Sequence, residues 1–428
     1  MMPRASVIFL LIIIVHLAGR VCAICHPFKV DSYTYSIAAY KLWNRGATVA
    51  DLVADKPPGQ AMLTGWMYRV IPGEPTRLTL VPLESAFLLG AYAVFFLIAR
   101  YLHGSRVAWV LTMFFVLAHN IYNSLDFTTD GFNLNENYMA LPMLAAVLAY
   151  LKLSRPFRRN ILVGFFVGVA LLIKQSAIGL VLALVVAEIV GGLFPSSPRL
   201  GKREDVSRRL VAVGSVFAIG VGVVLAFAPV AGYLWGKGWL GVHLEGLFNR
   251  TSSHAALPPW TWPRWYNISP LVPAFWMIAL AVATRRGHSP QAAGENDSGE
   301  AIVSRASRCA TVLLTVWLVV ELATLVAMRK PATHYYQQIV APLVLLSGFG
   351  LSMFCQRVSR LRDSARVKVW RWAGGTTLVW LILAAMPLFS SASSRIGTMN
   401  YRDEVHNFAA RMNTPTAPIP LEQDGRGK

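Results

Sequence analysis

Five short stretches carry ionisable side chains directly beside apolar runs. They are "KVDSYTY" with Asp31, "DKPPG" with Asp55 and Lys56, "NSLDFTTDGFNLNENY" with Asp130 and Glu136, "LIKQSA" with Lys174 and Gln175, and "RKPATHYYQQIVAPL" with Arg329, His334 and Tyr335. Charged groups at the edge of an apolar phase are costly to desolvate, so each needs an opposite charge from the protein or from a substrate. A cluster containing both signs therefore suggests a site for a charged substrate. Lys174 is the sharpest case. Apolar residues flank it on both sides, and its ammonium must meet either a carboxylate or an anionic ligand. Singly, the others have plainer roles: Asp31 suits a helix N-cap, Lys56 a side chain reaching for lipid headgroups, Arg329 and His334 interface anchors, and Asp130 and Glu136 solvated loop acids.

The elements that must hold these residues are membrane helices. The chain has 428 residues, of which 55% are hydrophobic and only 14% charged, with a mean hydropathy of +0.48, far more apolar surface than one soluble core can hide. The fold class is all-α: a polytopic transmembrane bundle of about eleven spans, since apolar runs long enough to cross as helix recur and strand-like alternation is absent. The spans fall near 6–24, 82–100, 106–122, 136–153, 161–173, 176–194, 210–234, 267–284, 309–327, 337–354 and 372–391. The fifth is short before Lys174, so it and the sixth can form one hairpin turning at the membrane surface. With the N-terminus inside, 22 of the 40 basic residues fall in inner segments and 13 of the 21 acids fall outside. Short basic loops resist translocation, so this bias supports an N-in, C-out topology. It also accounts for most of the +19 net charge without any nucleic acid partner.

Outside the spans there is little to fold independently. The inner loop from Thr284 to Arg308 is polar and poor in bulky residues, which reads as a flexible tether. Residues 1–391 form one membrane domain with outer loops 25–81 and 123–136, and 392–428 form an outer tail with an amphipathic stretch through Val405, Phe408 and Met412. Residues 31–43 fit a helix lying along the interface, ended by "KPPGQ". Trp260, Trp262, Trp265 and Tyr266 suit the headgroup level. The first segment has the look of a signal peptide, but its removal spoils the charge asymmetry, so it is expected to be retained. Cys22, Cys25, Cys309 and Cys355 form neither a disulfide framework nor a zinc spacing.

In order and spacing, "DSYTY", "DKPPG", "NENYMALPML", "LLIKQSA" and "HYYQQIVAPLVLLSGFGL" resemble the GT-C superfamily of polyprenyl-phosphate-sugar-dependent glycosyltransferases. The likeness is to the bacterial branch related to protein O-mannosyltransferases and lipid A aminoarabinose transferases, over roughly residues 5–355. It implies that Asp31 is the catalytic acid of the first outer loop, with Ser32 standing where a second acid is usual. Lys56 is then the residue that meets the donor phosphate, with acidic Asp55 before it. Asn135-Glu136 matches the second acidic motif, Asp130 is its neighbour, and Lys174-Gln175 and His334-Tyr335-Tyr336 match segments at the cavity mouth.

The implied reaction uses these residue types together. A polyprenyl phosphate sugar loses a phosphate, so Lys56, Lys174 and Arg329 take up charge while Asp31 receives the acceptor's proton; one base without an evident nucleophile implies inversion. The partners are the lipid-linked donor, a hydroxyl acceptor of the cell envelope and the bilayer, with the site on the non-cytoplasmic face of the plasma membrane. No ligand spacing demands a metal, although carboxylates and His334 are able to bind a divalent ion. A transporter or flippase for a lipid-linked glycan is the alternative; it calls for ionisable groups near mid-membrane and paired broken helices. An impermeant thiol reagent tests the topology in a background without the native cysteines. Lys56→Cys should be labelled in intact cells and Arg158→Cys only after permeabilisation; the reverse pattern inverts the assignment.

Overall fold

The computed structural model of the chain describes residues 5–24, 30–44, 57–71, 77–125, 134–193, 202–245, 271–285, 298–327, 333–359, 363–365 and 367–369. Among them all regular structure is helical. The helices are α1 (Ala5–Ile24), α2 (Val30–Asn44), α3 (Gly59–Val70), α4 (Arg77–His103), α5 (Ser105–Leu125), α6 (Asn135–Lys152), α7 (Pro156–Ile173), α8 (Ile178–Leu193), α9 (Lys202–Gly236), α10 (Val272–Arg285), α11 (Ser298–Ala327) and α12 (Gln337–Ser359). Two 3-10 turns, Gln175–Ala177 and Thr333–Tyr336, lead into α8 and α12. Within the described residues, the expected spans up to residue 354 fall on these helices, and the last, near 372–391, lies outside the described residues, as does the tail. Five stretches among the described residues are long and apolar enough to cross a membrane: Leu80–His103, Pro156–Ile173, Leu210–Gly236, Cys309–Val326 and Gln337–Ser359. Ser6–Arg20 and Gln175–Val190 are shorter apolar helices.

Two boundaries differ from the sequence reading. α9 begins at Lys202 and α11 at Ser298, so the second half of the expected 284–308 tether is helix. Neither lead-in contains Pro, and a helix already nucleated in its span extends by one hydrogen bond per residue added, even through polar sequence. The opening polar stretch also holds two helices rather than one. Pro57-Pro58 ends nothing; it starts α3, with the Met62 amide donating to the Pro58 carbonyl at 2.9 Å, because proline is tolerated where the first helical amides have no partner. At 15 and 12 residues, α2 and α3 are too short to cross hydrocarbon. They pack on each other instead, with Gly65 against the Trp43 ring and the Ala39 carbonyl and Trp43 Nε1 donating to the Met62 carbonyl at 3.1 Å.

The bundle core runs through α4, α5, α6, α11 and α12, with Phe95 stacked on Phe115 at 4.2 Å and Trp317 only 1% exposed. α7 and α9 make the most intimate pair. A Cβ at Gly164 would strike the Ile219 carbonyl, one at Gly222 the Ile161 carbonyl, and one at Gly168 would lie 2.6 Å from the Ala226 Cβ. Such backbone approach is how helices gain contact in lipid, where apolar burial no longer drives association. α3 reaches the same helix, since Gly59 sits against the Leu172 carbonyl at the last turn of α7. At the opposite end of the bundle, Arg159 pairs with Glu188 and lies 4.6 Å over the Tyr150 ring, joining α6, α7 and α8.

The glycine contacts carry a direct test. Gly164→Leu should lower stability by about 2 kcal/mol or more through overpacking, whereas Gly214→Leu, with nothing within 4 Å of its Cβ position, should leave the unfolding temperature in detergent nearly unchanged.

Candidate functional site

Three consecutive residues open α6, and each bonds to a different helix. Asn135 Nδ2 donates to the Tyr35 hydroxyl of α2 at 3.1 Å. Glu136 pairs with Lys174 at the junction of α7 and α8. Asn137 Nδ2 donates to Glu84 Oε1 of α4 at 2.6 Å. Successive helical residues point about 100° apart, so one turn can address three neighbours at once. The amides of a first turn have no helical partner, and a carboxylate such as Glu136 is favoured there.

Lys174 is where it is because the helix stops. α7 ends at Ile173, and Lys174 takes an extended conformation, φ −154° and ψ 132°, before the 3-10 turn whose Ala177 amide bonds back to the Lys174 carbonyl at 3.2 Å. The break turns the ammonium sideways toward α6. Its side chain is 12% exposed and that of Glu136 only 3%, so the two charges are largely withdrawn from water and must neutralise each other. Tyr335 covers the ammonium with its ring face, the Nζ lying 4.0 Å from the centroid, a cation–π contact that a partly desolvated cation strengthens. The next two residues fasten this segment to α5: Tyr336 stacks on Tyr122 at 6.0 Å, and Gln337 Nε2 donates to Asn123 Oδ1 at 2.6 Å. Glu321 of α11, 2% exposed, accepts from Trp317 Nε1 at 3.1 Å. Its Oε1 would lie 2.6 Å from a Cβ at Gly179 in the first turn of α8, so Gly179 leaves room for that carboxylate.

A small cavity of about 30 Å³ is bounded by Glu136, His119, Met139, Trp317, Gln337 and Gln338. That is room for one or two waters, not for a sugar.

A second layer lies behind this one. Glu84 accepts from Arg20 Nη1 of α1 through its other oxygen, at 2.6 Å, and both groups are buried. An ionised carboxylate only accepts, so Asn137 must turn its NH₂ to Glu84, which leaves its oxygen facing His119 Nε2 of α5 at 3.0 Å. His119 therefore donates from Nε2. In the α2–α3 layer, burial pushes the Tyr68 phenol well above its ordinary range, so it stays a neutral hydroxyl edge-on to Tyr40 at 6.0 Å.

Of the residues singled out in sequence, the structure brings Glu136, Lys174 and Tyr335 into direct contact and leaves Gln175 exposed beside them. Asp31 lies in the first turn of α2, inside the helix rather than at its cap, one turn before Tyr35. His334 lies in the 3-10 turn with Tyr335. Asp55, Lys56, Asp130 and Arg329 lie outside the described residues. Sequence reading passed over Arg20, Glu84, His119 and Asn137. The signal for the first three was present as polar residues inside otherwise apolar runs, "LAGRV", "PLESAF" and "LAHNI", while Asn137 stood unremarked in the quoted "NENYMALPML". Among the described residues, no three His, Cys, Asp or Glu side chains come together to hold a metal ion.

Thermal unfolding of single and double variants tests the Lys174 pair. Lys174→Met and Glu136→Leu should each destabilise by roughly 3–5 kcal/mol, because each strands a buried charge, whereas the double variant should recover most of that loss. Equal, additive losses would mean that the two groups do not depend on each other.

No protein-family model and no curated relative matches the chain in sequence. Solved structures do match in fold. ArnT from Cupriavidus metallidurans, bound to undecaprenyl phosphate, superposes with a TM-score of 0.54 at 17% identity, over 95% of this chain and 68% of that one. The archaeal oligosaccharyltransferase AglB from Archaeoglobus fulgidus, in complex with an inhibitory peptide and a dolichol-phosphate, gives 0.53 at 13% identity, over 96% of this chain and 58% of that one. The chain thus spans about two thirds of the ArnT chain and little more than half of AglB. It shares the fold of ArnT and AglB.

Proposed function

We propose that the chain is an integral membrane glycosyltransferase that moves a sugar from a polyprenyl-phosphate donor to a hydroxyl acceptor of the cell envelope, with inversion. One observation carries the reading. The turn that holds Lys174 through Glu136 also holds, through Asn135 and Tyr35, the helix that bears Asp31, and it does so in a fold shared with proteins solved with undecaprenyl phosphate and dolichol-phosphate. The donor class is carried over from those neighbours. The membrane domain 1–391 forms the enzyme, its site on the non-cytoplasmic face of the plasma membrane.

In this reading Asp31 accepts the proton of the incoming hydroxyl as the bond between sugar and phosphate breaks. The phosphate leaves with its bonding electrons, and Lys56, Arg329 and Lys174 take up its charge. Lys174 is already neutralised by Glu136, so an arriving phosphate shares the ammonium or displaces the carboxylate, with Lys56 and Arg329 as the further cations of this reading. Asp55, Asp130, Gln175, His334 and Tyr335 shape and polarise the mouth. A donor with a long isoprenoid tail lies in the bilayer, and helices too short to span, α2 and α3, suit a platform at its headgroup.

Asp31→Asn should cut transfer by roughly 10²-fold or more while the protein remains monodisperse, read by mass spectrometry of envelope glycans in a deletion strain carrying the variant. Wild-type product would remove Asp31 as the base. Lys56→Ala should raise the donor requirement more than the acceptor requirement; an unchanged donor dependence would shift phosphate binding to Lys174 or Arg329.

A further inference from the structure

Behind the Lys174 pair lies an ion pair with no part in that chemistry. Glu84 is fully buried and Arg20 is 2% exposed. Each carboxylate oxygen is taken by a different helix, Oε2 by Arg20 of α1 and Oε1 by Asn137 of α6, both at 2.6 Å. Adhesion alone does not call for this arrangement. Apolar side chains join two helices at least as well, and replacing a buried ion pair by apolar residues of like volume is often neutral or stabilising. What apolar packing does not supply is direction.

We propose that Glu84, held by Arg20, is a positioning residue that sets the rotation of α6 about its axis and so places Asn135 and Glu136 in the site. The inference rests on reading the start of α6 as part of a transfer site. Asn137 cannot satisfy Glu84 with its amide reversed, and its oxygen is engaged by His119, so the side chain is held from two sides. Asn135, Glu136 and Asn137 are consecutive. A rotation that slips Asn137 off Glu84 therefore carries Glu136 away from Lys174 and Asn135 away from Tyr35, and with them the seat of the Asp31 helix. Glu84 acts on the site through Asn137.

Cross-linking in native membranes tests this on the full chain. Tyr35→Cys and Asn135→Cys are introduced without the native cysteines and joined by a short bis-thiosulfonate reagent. That pair removes the native Asn135 bond, so the register of α6 rests more heavily on Glu84. Two further backgrounds are compared: Asn137→Ala, which leaves the ion pair intact, and the double change Arg20→Met with Glu84→Leu, which leaves no stranded charge. Yield should fall at least about fivefold in both, the effect of losing one directional hydrogen bond, at an unfolding temperature close to that of the parent. An unchanged yield in either folded variant overturns the proposal, and Asn137→Ala decides alone if the double change does not fold. With Tyr35 and Asn135 native, envelope product per folded molecule should drop in step with the yield. Envelope product unchanged in the deletion strain itself would sink the transfer reading, and the cross-link yield would still decide the role of Glu84.

Discussion

A polar side chain placed in hydrocarbon must find its own partner, and the first turn of α6 meets that demand three times in three consecutive residues. Asn135 takes the α2 hydroxyl of Tyr35, Glu136 the ammonium at the α7–α8 junction, and Asn137 the carboxylate of α4. Because these contacts radiate from one turn, they are geometrically coupled. The end of the bundle that carries the ionisable residues is organised around that turn, and the neighbours are shaped to reach it: α7 breaks at Lys174, and α2, at 15 residues, is too short to cross.

The rest of the bundle makes such a turn tolerable. Desolvating Glu136, Lys174, Glu84 and Arg20 is unfavourable unless each pairs, and even a good pair gains little net stability. Stability has to come from packing, which the glycines supply. Gly164, Gly168 and Gly222 bring α7 and α9 to backbone contact, and Gly59 brings α3 onto the end of α7. The helix that ends in Lys174 is thus gripped on two sides, while Arg159 and Glu188 tie its far end to α8.

Function is proposed to follow from the same economy of charge. A lysine already matched by a carboxylate and covered by an aromatic face is a poor permanent phosphate site and a good exchangeable one, since one anion can replace another without leaving the ammonium bare. The cavity beside Glu136 admits water and nothing larger.

Much of this was legible in the sequence. Apolar runs of spanning length locate the helices because hydrocarbon forces each backbone to satisfy its own hydrogen bonds, and a lysine interrupting such a run announces a partner before that partner is known. Glu136 was one of several acids that Lys174 had available, and only the fold selected it, across 38 positions of chain. The Arg20–Glu84 pair, 64 residues apart, left no trace as a pair: each residue alone resembles an ordinary charge near the end of a span. The second short helix, α3, was hidden by its prolines, which mark a break without saying that a helix starts there. Sequence by itself determined which segments are helices and which side chains are too polar to stay alone, since both follow from local solvation. The tertiary structure decided which of them meet, because pairing depends on helix rotation and register, and those are set only when all the helices pack together.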